Sequence, residues 1–206
     1  MNKLEEMKHI RNEVVALRGA LAELRRANGT LPVLGEGSHD GDILFVGEAP
    51  GKNEAMTGRP FCGAAGKILT ELVESIGLSR EEVYITNIVK DRPPENRDPL
   101  PDEIKCYGSF LERQINVIQP KVIATLGRFS MDYVMRLLGL ELEIESISKA
   151  HGKVYKTKAS WGGSLYLVPL YHPAASIYNH ALRETLDGDM KILLTCLGTS
   201  AKVLLI

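Results

Sequence analysis

Ile43-Leu44-Phe45-Val46 runs directly into Gly47-Glu48-Ala49-Pro50-Gly51. The first four residues form an apolar run of strand length, rich in branched and aromatic side chains. The glycines and the proline stop it in a turn. Three more runs of the same kind follow: Val83-Tyr84-Ile85-Thr86, Val122-Ile123-Ala124-Thr125-Leu126 and Leu165-Tyr166-Leu167-Val168-Pro169-Leu170. Helical patterns fill Gly63 to Gly77, Pro101 to Ile118 and Phe129 to Leu138, and Gly77, Pro120 and Gly139 punctuate their ends. After the fourth run a turn marked by Pro173 leads to a helix near Leu182 to Cys196. Strand alternating with helix predicts an α/β fold of three layers, α/β/α, around a central four-stranded parallel sheet. The stretch Leu142–Gly163 is expected to make an edge β excursion that turns at Gly162-Gly163.

Upstream, Ile10, Val14, Leu17, Leu21 and Leu24 step by four and three, which predicts a single helix over residues 3–27 ended by Asn28-Gly29. Under four heptads is too short to insist on a coiled-coil partner, so the stripe is expected to pack on the protein's own core. The chain thus divides into an N-terminal helix, 1–30, and one domain, 31–206.

Composition narrows the function. Of 206 residues, 44% are hydrophobic, enough for a packed core, and 25 Lys+Arg against 26 Asp+Glu leave a formal charge of -1. No global basic field marks a nucleic-acid binder, so any such site must be local. No apolar run approaches the ~20 residues of a membrane span, and MNKLEEMKHIRNE lacks a signal-peptide core. A cytoplasmic monomer without membrane contact is expected. The three cysteines, 62, 106 and 196, are too few and too scattered for a disulfide framework or a zinc site.

The chemically unusual residues cluster after the strands. Gly47–Gly51 follows the first, Asn87 and Lys90 the second, Gly127-Arg128 the third, and His172-Pro173-Ala174-Ala175 the fourth. Ligands of open α/β sheets bind at the carboxyl ends of strands, so these clusters are expected to line one crevice. Taken singly, each has a plain reading as a turn, a cap or a structural histidine; together they favour a site. Phosphate motifs fail: Gly47–Gly51 is not G-x-G-x-x-G, and Gly66-Lys67 lacks the first Gly and the Ser/Thr of a P-loop.

Gly47-Glu48-Ala49-Pro50-Gly51, Glu54 and Thr57-Gly58-Arg59-Pro60-Phe61-Cys62-Gly63-Ala64-Ala65-Gly66 closely resemble the first motif of the family four uracil-DNA glycosylases. Tyr84–Lys90 with Arg92-Pro93-Pro94 and Asn96-Arg97 looks like that family's second block, and His172–Ala175 like its last. The resemblance runs from about Val33 to Cys196. It implies a three-layer α/β fold and a monofunctional enzyme that hydrolyses the N-glycosidic bond of deoxyuridine in DNA, releasing uracil. Alternatives are a glycosylase of shifted base specificity, such as hypoxanthine, or a uracil-DNA binding protein with lost or altered turnover. Covalent trapping by a His after the second block is disfavoured, since Lys90–Arg97 contains none.

The resemblance assigns catalytic roles to Glu48, Asn87 and His172. Asn87 reads uracil O4 and N3–H, His172 donates to O2, and Glu48, ahead of Glu54, holds the attacking water. Glu54 alternatively walls the pocket against thymine's methyl group. Phe61 stacks on the base, and the backbone at Gly47, Glu48 and Ala49 completes the edge readout. Pro50, Gly51, Lys90, Ser176 and Ile177 are the expected DNA contacts, with Ile177 or Tyr178 as a wedge. Relatives carry an iron–sulfur cluster on four cysteines. Here Asp91 and Tyr107 stand at two of those positions, Cys106 falls one residue early, and no cysteine precedes Cys62. No cofactor is therefore expected, and either core packing or polar contacts involving Asp91 and Arg92 are expected to hold that loop. Cys106 and Cys196 are expected to be buried.

Overall fold

The structure, a computed structural model, describes residues 2–177 and 179–198. In chain order it contains α1 (Lys3–Ala16), α2 (Ala20–Ala27), β1 (Glu36–Gly37), β2 (Ile43–Gly47), α3 (Lys52–Thr57), α4 (Ala64–Ser75) and β3 (Tyr84–Asn87). There follow α5 (Pro101–Ile118), β4 (Val122–Leu126), α6 (Arg128–Leu137), α7 (Ile147–Ala150), β5 (Tyr155–Lys158), β6 (Ser164–Leu170) and α8 (His180–Cys196). The strands order as β1-β3-β2-β4-β6-β5.

The four central strands, β3, β2, β4 and β6, pair in parallel as the alternation predicts. The sheet nevertheless has six strands, because β1 and β5 add to its two edges in antiparallel sense. β5 and the turn after it realise the expected edge excursion, whose first part is instead the short helix α7. β1 is two residues long and carries no apolar pattern, so nothing in its composition announced it.

Every residue of β2 is buried, and alternate side chains serve opposite faces. Leu44 and Val46 join the core made with α1, α5 and α6, whereas Ile43 and Phe45 join the core made with α4 and α8. Connections from β2 run toward β3 on one face, and those from β4 run toward β6 on the other. The strand order therefore reverses between β2 and β4, where a crevice opens outside the carboxyl ends.

The single helix expected over 3–27 is two, broken at Leu17–Gly19. Arg25 on α2 folds back and donates to the carbonyls of Val14 and Val15, and Arg26 donates to Leu17 O. Guanidinium groups thus satisfy the last carbonyls of α1, which a continuous helix would have bonded internally. The apolar stripe turns inward: Met7, Ile10, Val14 and Leu21 are buried in the α1–α5 core. Cys106, expected to be buried, is exposed on α5, and Cys196 is half-buried, packed against the core from the end of α8.

Candidate active site

The turn after β2 is built tightly. A Cβ on Gly47 would collide with Asn87 Oδ1 and fall 2.7 Å from Phe61 Cζ, so only glycine lets these side chains close over the strand end. Phe61 adopts a left-handed backbone, φ 48°, unusual for a bulky residue. Its strained turn is clamped from outside: Arg80 donates to the carbonyls of Pro60 and Phe61. A Cβ on Gly66 would fall on the Phe61 carbonyl, so glycine is needed there too. Glu54 Oε1 accepts from the backbone N–H groups of Cys62 and Gly63, at 2.9 and 3.0 Å, and fixes the start of α4.

Elements far apart in sequence meet here. Glu48, Ala49, Gly51, Glu54, Phe61, Asn87 and His172 line a cleft of about 470 Å³, the size range of small-molecule sites. Ala65, Asn96 and Ala174 complete the wall. The Phe61 and His172 rings stand 5.8 Å apart.

The polar groups of this cleft are left ready. Asn87 is 2% exposed, yet its Oδ1 has no hydrogen-bond partner. Among the described residues the one other such buried side-chain atom is Thr125 Oγ1, on β4. A buried unpaired acceptor costs about 1–3 kcal/mol, which is recovered when a ligand donor fills it. His172 Nδ1 accepts from the Ala174 N–H at 3.1 Å, which leaves the ring proton on Nε2. Burial lowers the His172 pKa, so the imidazole is neutral and Nε2–H is a donor. Glu48 is half-buried, and no hydrogen bond pins its carboxylate among the described residues. Desolvation, with Asp98 nearby, raises its pKa to about 7 against the pull of Arg128. Arg128 and Asp98 form an exposed ion pair on this side, 3.0 Å apart.

Asn96, Asp98 and Arg128 were not assigned roles from sequence. Asn96 reaches the cleft because its backbone is left-handed, φ 57°, which asparagine tolerates. Its Oδ1 accepts from Arg92 Nε at 2.7 Å.

Three of the five expected DNA contacts fail on burial. Lys90 is fully buried, and its ammonium, lowered far below the usual lysine range by desolvation, donates only to protein oxygens. Ser176 is buried, with its hydroxyl donating to Pro173 O. Pro50 is buried in the turn. Gly51 is half-buried at the cleft, and Ile177 is an exposed apolar residue beyond His172. Tyr178 lies outside the described residues.

The loop that bears a cluster ligand in the resembled family is tied differently here. Arg25 Nη1 donates to both oxygens of Asp91 at 3.1 Å, and Tyr107 Oη donates to Asp91 Oδ2 at 2.6 Å. All three side chains are buried. Burial pushes the Asp91 carboxyl up, while Tyr107 and Arg25 pull it back. Cluster iron needs thiolates; a guanidinium, a saturated carboxylate and a phenol do not fit it. Of the two expected ways of holding this loop, Asp91 takes the polar one, with Arg25 as its main partner, while Arg92 braces Asn96.

A family profile described as the uracil DNA glycosylase superfamily matches residues 34–190. The type-4 uracil-DNA glycosylase of Archaeoglobus fulgidus is 44% identical over 188 residues, spanning 91% of this chain and 92% of that protein. The type-4 enzyme of Sulfurisphaera tokodaii is 45% identical over 91% of this chain and 83% of its own length. That of Saccharolobus solfataricus is 49% identical over 77% and 73%.

Proposed function

The chain belongs to the uracil DNA glycosylase superfamily, and from that premise we propose that it hydrolyses the N-glycosidic bond of deoxyuridine in DNA, releasing uracil and leaving an abasic site. The observation that carries this reading is the unpaired Asn87 Oδ1 at the floor of the cleft. Uracil presents N3–H to that oxygen and O4 to the Asn87 amide N–H. Cytosine presents a lone pair and an amino group in those places, so both contacts turn repulsive and the base is rejected by orders of magnitude.

The target nucleotide leaves the stack and enters the cleft, where the Phe61 ring is its stacking platform, worth ~1–3 kcal/mol. The C1′–N1 bond breaks with its electron pair moving onto uracil, and charge collects on O2. The neutral His172 donates Nε2–H to that oxygen. Such donors contribute about 3 kcal/mol to the transition state. A water oxygen bonds to C1′, oriented by the ionised Glu48, which takes its proton. Glu54 is committed to two backbone N–H groups, which makes it a wall rather than a base. Gly51 and the exposed Ile177 remain the proposed DNA contacts, and Arg128 adds an exposed cation on the rim.

Among the described residues no helix is long and apolar enough to cross a membrane, and no group of three or more His, Cys, Asp or Glu is placed to hold a metal ion. The test is a uracil-containing oligonucleotide incubated with the protein in EDTA. Free uracil and an alkali-labile abasic site are the expected products. Uracil left attached, or hypoxanthine released in preference, overturns the assignment.

A further inference from the structure

Lys90 has lost its expected role at the surface, and its burial is costly. The side chain is among the largest fully buried ones, and it has no carboxylate within ion-pair distance among the described residues. Its side-chain nitrogen lies within hydrogen-bond distance of three oxygens: Thr86 Oγ1 at 2.8 Å, the Asn87 carbonyl at 2.6 Å and Gln114 Oε1 at 2.5 Å. Behind these, Thr86 Oγ1 and Gln114 Nε2 both donate to Leu34 O, at 2.7 and 2.8 Å. The Lys90 carbonyl accepts from Val33 N–H.

Topology explains the need. β1 pairs only with Tyr84 and Ile85, so past Ile85 that edge of β3 has no neighbouring strand. The Asn87 carbonyl would be a buried acceptor there without a donor. Lys90, three residues on from Asn87, turns back and supplies that donor, while the same nitrogen meets the Thr86 and Gln114 side chains. The same contact ties the Asn87 main chain to α5 through Gln114.

We propose that Lys90 is the positioning residue of Asn87: it fixes the Asn87 backbone so that the carboxamide stands in the cleft with Oδ1 free for the base. The assignment rests on the reading of Asn87 as the uracil-recognising group. Lys90 itself lines no part of the cleft.

A double-mutant cycle separates positioning from bulk stability. Lys90→Met keeps the length of the side chain and removes its donors. Single-stranded oligonucleotides carrying 5-fluorouracil, a better leaving group than uracil, keep slow variants measurable. Lys90→Met is expected to lower kcat/KM at least tenfold in the native background and less than twofold in Asn87→Ala, because its effect passes through that amide. Equal losses in both backgrounds overturn the proposal while leaving the uracil reading intact. A native chain that releases no base overturns both. If Lys90→Met melts before assay temperature, Thr86→Val and Gln114→Met each remove one partner. They are expected to lose three- to tenfold in the native background alone, and equal losses again refute the assignment.

Discussion

Asn87 ends β3 and Asp91 stands four residues on, both nearly devoid of solvent, and their side chains are treated in opposite ways. Asp91 is saturated, taking hydrogen bonds from Arg25 and Tyr107. Asn87 is held through its main chain by Lys90, while its Oδ1 is left unpaired. Polar atoms that hold the fold are paired within it, and polar atoms that wait for a ligand are not. Asn87, Glu48 and His172 belong to the second kind, and Arg25, Asp91 and Tyr107 to the first. Substitutions in the cleft should therefore lower the rate without loss of stability, and substitutions in the buried knot should lower stability without loss of rate.

His172→Ala tests the first half most severely. Loss of the Nε2–H donor should lower kcat by about 10²- to 10³-fold with little change in Tm, measured by single-turnover uracil release beside a thermal melt. A rate within threefold of native would remove His172 from the chemistry. Arg25→Met tests the second half. It strands the Asp91 carboxylate and uncaps α1, at a cost of about 3–5 kcal/mol, or roughly 6–20 °C in Tm for a chain of this size. Turnover well below the new Tm should stay near native; a large rate loss there would collapse the distinction between the two regions. Tyr107→Phe removes one donor from Asp91 and leaves Arg25 in place, so about 2 kcal/mol is expected, read by urea denaturation.

Glu48 gives the smallest and most diagnostic effect. Its ionised form is the active one, so the rate should climb as pH rises through about 7 and level above it. Glu48→Gln should be slower by about tenfold and flat across that range. Stability runs the other way. The folded pKa lies above the unfolded value, so the folded state binds the proton more tightly and loses stability as pH rises from about 4.5 to 7. At pH 8 Glu48→Gln should be more stable by about 1–2 kcal/mol, a range discounted because the group is half open to water. Unchanged stability would mean that solvent compensates the charge.

Much of the cleft was legible as spacing. Gly47, Asn87 and His172 fall where strands end, and a parallel sheet brings strand ends together whatever lies between them; Phe61, between α3 and α4, was legible only through the family resemblance. Arg25 and Lys90 were not legible. Arg25 sits among the charged positions of an amphipathic stripe, which read as solvent-facing, and only the break at Leu17–Gly19 turns it inward. Lys90 read as a phosphate contact because a lysine after a strand end is ordinarily exposed. Its burial depends on how short β1 is, and a two-residue strand leaves no periodic trace.

Apolar periodicity and turn residues, which act over a few neighbours, settled the layers, the four parallel strands and the edge on which chemistry gathers. The partners of buried charges were decided only in three dimensions. A desolvated polar head is tolerable only when it is paired, and decisive partners come from segments distant in the chain, as between Arg25 and Asp91 or Lys90 and Gln114; no local pattern encodes those distances.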